Sequence, residues 1–161
     1  MGPGRYTFDQ TSNQFRNAAG ELVELAEVQQ KIGASMSRAS KRLRLGEGDT
    51  LARLDADGIS LLGRNSGAVP GGTKVSLKPL NSQTRTHAEG EVFQRFFNKG
   101  RSSDFGVLFV DRGFCASCGT KGGVGSLLRA TGLKRVLAIT PDGAFWINAT
   151  RPSRLIPAVI N

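Results

Sequence analysis

The sequence predicts an α/β chain, and three observations carry that prediction. Five short runs have strand composition, at residues 50–54, 59–62, 107–110, 135–140 and 144–148. Helical stretches stand between them, one opening at His87 and ending near Lys99 and Gly100, another over 126–132. The last two strands are joined by only Pro141, Asp142 and Gly143, too short a link for a parallel crossover, so they must be antiparallel. A chain of 161 residues is enough for one domain that buries its apolar surface without disulfides.

Residues 1–46 read as an accessory segment and 47–161 as the main domain. Within the first, 5–9 and 14–20 are short extended pieces with a turn at Gly20. Residues 21–45 read as a helix. Val28, Ile32, Met36, Ala39 and Leu43 fall within about 80° of one another at the helical repeat, with Lys31, Arg38, Lys41, Arg42 and Arg44 on the other side. Either that basic side is a solvated face or it tracks phosphates.

From residue 47 the pattern turns to strands. Residues 50–54 and 59–62 flank the turn signal Asp55 to Gly58 and form a hairpin. Residues 65–72 are a loop, and 74–78 a further short strand. In the helix that His87 opens, Glu89, Val92, Phe93 and Phe96 follow an i, i+3, i+4, i+7 spacing and share one face. A carboxylate heading an apolar stripe points toward the core, where an unpaired charge is costly. Residues 107–110 form a continuous apolar run, as expected of a central strand covered on both faces. Residues 111–114 lead to Cys115, and the glycine-rich 119–125 lead into the helix that Gly132 ends. Those glycines do not match a Walker loop. Residues 150–161, with Pro152 and Pro157, read as a covering tail.

The charge balance is 22 Lys and Arg against 13 Asp and Glu, a net +9 with a pI near 10.4. Such an excess favours polyanionic partners, nucleic acid first. No apolar run approaches the roughly 18 residues of a membrane span. The start of the chain has no signal-peptide pattern, and a piece of a longer protein is one reading of it. Two cysteines in a Cys-x-x-Cys suit a reducing working compartment better than a disulfide framework.

The residues that carry chemistry are His87-Ala88-Glu89 and Cys115-Ala116-Ser117-Cys118. They use the only histidine and the only two cysteines of the chain. One imidazole and two thiolates are the ligand set of a zinc site with its fourth position open to water. Glu89 stands beside that set as an acid–base group rather than a ligand.

This combination is similar to the His-x-Glu and Pro-Cys-x-x-Cys signature of zinc nucleobase deaminases. The order of hairpin, His-x-Glu helix, buried strand, Cys-x-x-Cys helix and two strands resembles the cytidine deaminase superfamily over roughly 47–149. His87-Ala88-Glu89-Gly90 with the buried strand looks most like the deaminase domains of bacterial polymorphic toxins. The resemblance implies a mixed sheet of about five strands with helices on its faces. It implies Zn²⁺ held by His87, Cys115 and Cys118, and an activated water that attacks C4 of cytosine while Glu89 shuttles protons. The enzyme would be a hydrolase acting on the C–N bond of a cyclic amidine. Phe114 stands where the signature has proline; it removes no ligand and could line the pocket.

Further substrate candidates are Ala88, Phe114, Ser117, Asn65, Ser66 and Trp146. Asn65 also suits a plain turn and Trp146 a core position. Arg85, Arg101, Arg112 and Lys121 are candidates for the nucleic-acid backbone. The expected substrate is single-stranded DNA, because an unstacked base avoids the cost of flipping. The expected setting is a monomeric toxin domain without membrane contact. A secretion system would deliver it as part of a larger toxin, to act in the target cell's cytoplasm against a cognate immunity protein. Three alternatives stay open: an RNA-directed or free-nucleoside deaminase, a zinc-stabilised nucleic-acid-binding module, and a Cys-x-x-Cys redox protein.

Overall fold

A computed structural model describes residues 6–45, 49–64, 88–100, 103–111, 123–149 and 151–160. Among the described residues the main sheet has six strands: β4 (Leu51–Ala56), β5 (Ile59–Arg64), β6 (Phe105–Val110), β7 (Arg135–Thr140), β8 (Gly143–Asn148) and β9 (Arg151–Pro157). Their spatial order is β5-β4-β6-β7-β8-β9. Only β6 and β7 run parallel, with Phe105 opposite Arg135; every other neighbour is antiparallel. The sheet is therefore mixed, and β7 and β8 have the antiparallel sense their short link demands.

The β4–β5 hairpin turns at Asp57 and Gly58, with φ of 51° and 75°. Two consecutive positive φ values are the backbone of a type I′ turn, which matches the twist of the flanking strands. Residues 106–110 of β6 are all buried, in keeping with a strand covered on both faces.

Helices α2 (Ala88–Asn98) and α3 (Gly123–Thr131) cover one face. Val92, Phe93 and Phe96 pack there with Leu127, Leu128, Leu54, Leu108 and Val136. Helix α1 (Leu25–Arg42) covers the other, where Val28, Ile32, Met36 and Ala39 meet Phe109, Leu137 and Ile139. The alternation along β6 and β7 supplies both cores at once, since successive side chains take opposite faces. Each large side chain so buried contributes about 1.5–3 kcal/mol. Among the described residues no helix is long and apolar enough to cross a membrane.

The N-terminal residues form a separate ribbon of β1 (Thr7–Asp9), β2 (Gln14–Arg16) and β3 (Leu22–Val23). The helix expected over 21–45 starts later, at Leu25, because Leu22 and Val23 pair with Arg16 and Phe15 instead. Asn17 Oδ1 accepts the amides of Ala19 and Glu21, both at 3.0 Å, and closes the turn at Gly20. The ribbon lies on the α1 side of the sheet, where Phe15 is fully buried and Phe8 packs at 5.8 Å from Trp146.

The tail expected over 150–161 is instead largely the edge strand β9, paired to β8 with a bulge between Trp146 and Asn148. Prolines at 152 and 157 argue against a central strand, but an edge strand tolerates them because one side of its ladder is unpaired. The short strand expected at 74–78 lies outside the described residues.

Candidate active site

Several chain ends meet at one edge of the sheet. Strand β4 begins there at Leu51, and β5 ends there at Arg64, its partner in the ladder. Strand β6 ends beside them: Leu51 donates its N–H to Asp111 Oδ1 at 3.0 Å, and Asp111 donates its own to the Leu51 carbonyl at 3.2 Å. The parallel partner β7 ends at Thr140 on the same edge. Helix α3 returns the chain to the opposite edge, where the Lys134 N–H donates to the Asp104 carbonyl at 2.9 Å. This is the edge outside the carboxyl ends of parallel strands, where open α/β sheets bind ligands.

The first turn of α2 sits on this edge because of Gly63. A Cβ at Gly63 would lie 2.5 Å from the Ala88 carbonyl oxygen, 2.5 Å from the Val92 nitrogen and 2.8 Å from the Val92 Cβ. Only glycine lets the helix backbone approach the strand that closely. Two side chains then clip the helix to the side of β5 that faces away from β4. Glu91 Oε1 accepts the Arg64 backbone N–H at 3.1 Å, and Arg95 Nη1 donates to the Leu62 carbonyl. Glu91 and Arg95 are one turn apart, and Leu62 and Arg64 are the alternate residues whose peptide groups face away from β4. The clip satisfies backbone groups on the side of β5 away from β4 and fixes the rotation of α2.

That rotation buries Glu89. Its carboxylate residue is 3% exposed in the first turn of α2, with Val92, Phe93 and Phe96 completing the buried stripe. A buried acid near a helix N-terminus is held by the favourable end of the helix dipole and can take up or release a proton in a water-poor setting. Ala88 precedes it and is fully buried.

Trp146 lies elsewhere. It belongs to the sheet face covered by α1 and the ribbon, opposite the face that α2 covers. Its ring stands 6.0 Å from that of Phe105, and the Arg135 guanidinium sits 4.4 Å over it. The structure does not bring Trp146 together with Glu89. The expected metal ligands His87, Cys115 and Cys118 lie outside the described residues. So do Phe114, Ser117, Asn65, Ser66, Arg85, Arg101, Arg112 and Lys121. Among the described residues no group of three or more His, Cys, Asp or Glu could hold a metal ion.

Sequence reasoning missed Gly63, Glu91 and Arg95, which position the helix that carries Glu89. A glycine inside a strand pattern was the available signal for the first, and the i, i+4 acid–base spacing for the other two.

The model of one family, the MafB19-like deaminases, matches residues 25–148. No curated protein and no solved structure matches the chain significantly. The family match runs from the first residue of α1 to the last of β8 and takes in the edge built above. The chain belongs to the MafB19-like deaminases, a cytidine deaminase-like family of polymorphic-toxin deaminases, and its chemistry is hydrolytic deamination.

Proposed function

We propose that this protein is a zinc-dependent cytosine deaminase that converts cytosine to uracil in nucleic acid, with single-stranded DNA as its substrate. The observation that carries the reading is Glu89, buried in the first turn of α2 at the carboxyl edge of the sheet. In sequence, His87 is the residue before α2, whose first turn sits at that edge, and Cys115 and Cys118 come five and eight residues after β6, which ends there. One imidazole and two thiols fit zinc as a donor set. His87, Cys115 and Cys118 would hold the zinc, which would supply the Lewis acidity that makes water a nucleophile near neutral pH.

Glu89 does the proton work. Its carboxylate takes a proton from the attacking water and delivers it to N3 of the ring as the C4–O bond forms. It then takes the proton of the new C4 hydroxyl and passes it to the amino group, which leaves as ammonia as the C4–N bond breaks and the C4 carbonyl forms. Cytosine and water become uracil and ammonia, and the carboxylate is restored. The buried surroundings of Glu89 keep bulk water from competing for these protons.

A net charge of +9 supports a polyanionic substrate over a free nucleoside. An unpaired strand supplies its base without the cost of flipping. Membership of a family of polymorphic-toxin deaminases is in keeping with a toxin role, and we propose a monomeric domain of a larger secreted protein that acts in the target cell's cytoplasm. A cognate immunity protein would then be acidic where it meets this basic surface.

Uracil formation measured in parallel on single-stranded DNA, duplex DNA, RNA and free cytidine tests the substrate. Product from single-stranded DNA at the highest kcat/KM is expected. Equal or greater efficiency on free cytidine would contradict the polymer reading.

A further inference from the structure

We propose that the cavity between the end of α1, the end of β5 and α2 is a subsite for a backbone phosphate of a single-stranded polynucleotide, held by Arg42, Arg64 and Arg95. The cavity has a volume of about 320 Å³; all three arginines line it, and Glu91 is its one acidic side chain among the described residues. Three cations face one carboxylate, so the space attracts anions.

Arg64 makes the demand for an anion specific. Among the described residues its Nε, which is buried, has no hydrogen-bond partner. The nearest carboxylate oxygen, Glu91 Oε1, is 3.9 Å away and already accepts the Arg64 backbone N–H at 3.1 Å. A buried charged donor without an acceptor is costly, and an incoming phosphate oxygen removes that cost. Arg95 spends Nη1 on the Leu62 carbonyl, and its fork has further N–H groups. Arg42, exposed in the last turn of α1, completes the ring. Planar guanidinium forks match phosphate oxygens in pairs, which suits this ligand.

The surroundings favour a polymer over a free phosphate. Exposed Arg38 lies one turn behind Arg42 on α1, and exposed Lys41 and Arg44 flank it. A strand of phosphates can follow that positive surface, whereas a single phosphate needs only the cavity. Glu91 lies two residues beyond Glu89, about 200° round the helix, so the cavity flanks the helix turn that bears the acid. The bound phosphate would belong to a nucleotide neighbouring the target base. That placement rests on the deaminase reading; the binding itself does not.

The test uses the full chain and oligothymidylate, which contains no cytosine and cannot be deaminated to uracil. Affinity is measured across a salt series for wild type, Arg42→Gln and Arg64→Gln. Each variant is expected to bind about tenfold more weakly at low salt. Each should also lose about 0.7 from the slope of log affinity against log salt, the value for one single-strand phosphate contact. Arg42→Gln should keep the wild-type thermal midpoint, which separates the subsite from any folding defect of Arg64→Gln. Wild-type affinity and slope in Arg42→Gln would overturn the proposal, as would inorganic phosphate binding as tightly as the oligomer. Arginine-dependent binding without deamination of any substrate would sink the deaminase reading and leave the subsite standing.

Discussion

The backbone amide of Arg64 donates to Glu91 Oε1 at 3.1 Å and joins the last residue of an edge strand to the helix that carries Glu89. With Arg95 on the Leu62 carbonyl, it fixes where that helix begins and which of its faces turns inward. Glu91→Ala should therefore destabilise the fold by about 1–3 kcal/mol, the cost of leaving a partly buried donor unsatisfied. Glu91→Gln keeps an acceptor and should lose less. Denaturant midpoints of the two variants check this, and equal loss would show that the acceptor oxygen is not what matters.

Gly63→Ala should be more damaging than its single added methyl suggests. That carbon meets backbone atoms at 2.5 Å on two sides, and neither can rotate away. A loss of about 3 kcal/mol is expected, together with reduced deamination as α2 is displaced. Thermal unfolding and the specific rate measured on the same sample test both parts. Wild-type stability would mean that the helix and strand are not in close contact.

The N-terminal ribbon should loosen at both ends of the pH scale. The backbone amides of Ser12 and Thr11, then the Arg16 guanidinium, hold the Asp9 carboxyl below its ordinary value of 3.8. A lowered pKa contributes stability above the unfolded value, and this is lost as pH falls through the folded one. Burial and the neighbouring Glu27 raise the Tyr6 phenol above 10.0. That contribution is present below the unfolded value and lost as pH rises through the folded one. Tyr6 is the only tyrosine of the chain, so tyrosinate absorbance reports it alone. Glu27→Gln should bring its titration back toward 10.0; no shift in that variant would remove Glu27 as a cause.

Metal content is a separate expectation. The zinc-loaded protein should hold about one zinc per chain, and Cys115→Ser or Cys118→Ser should lower that occupancy. Chelation should lower the thermal midpoint, because a ligand bound by the folded state alone stabilises it. Elemental analysis of the purified variants decides this, and full zinc occupancy in Cys115→Ser would exclude that thiol as a ligand.

Five strands of the main sheet, β4 to β8, were legible because their signals are local. The two-residue turn at Asp57 and Gly58, the apolar run of β6 and the short link from β7 to β8 each depend on neighbours in sequence. The burial of Glu89 was legible too, since the i, i+3, i+4, i+7 spacing states which helix face turns inward. What escaped depends on distant partners. Leu22 and Val23 look like the start of a helix until Phe15 and Arg16 pair with them. Residues 151–157 look like a tail until β8 offers them an edge. Trp146 could have faced either side of its strand, and the ribbon's Phe8 and Phe15 show which face is packed. The grip of Glu91 and Arg95 needs a sheet edge that no local pattern reveals.

The role of Glu89 as proton carrier is decided by the rate of uracil formation in single-stranded DNA by zinc-loaded wild type and by Glu89→Gln. The wild type should form product and the variant should be about 10²–10⁴-fold slower, with zinc content and thermal midpoint retained. A Glu89→Gln protein that forms uracil at the wild-type rate would contradict that role.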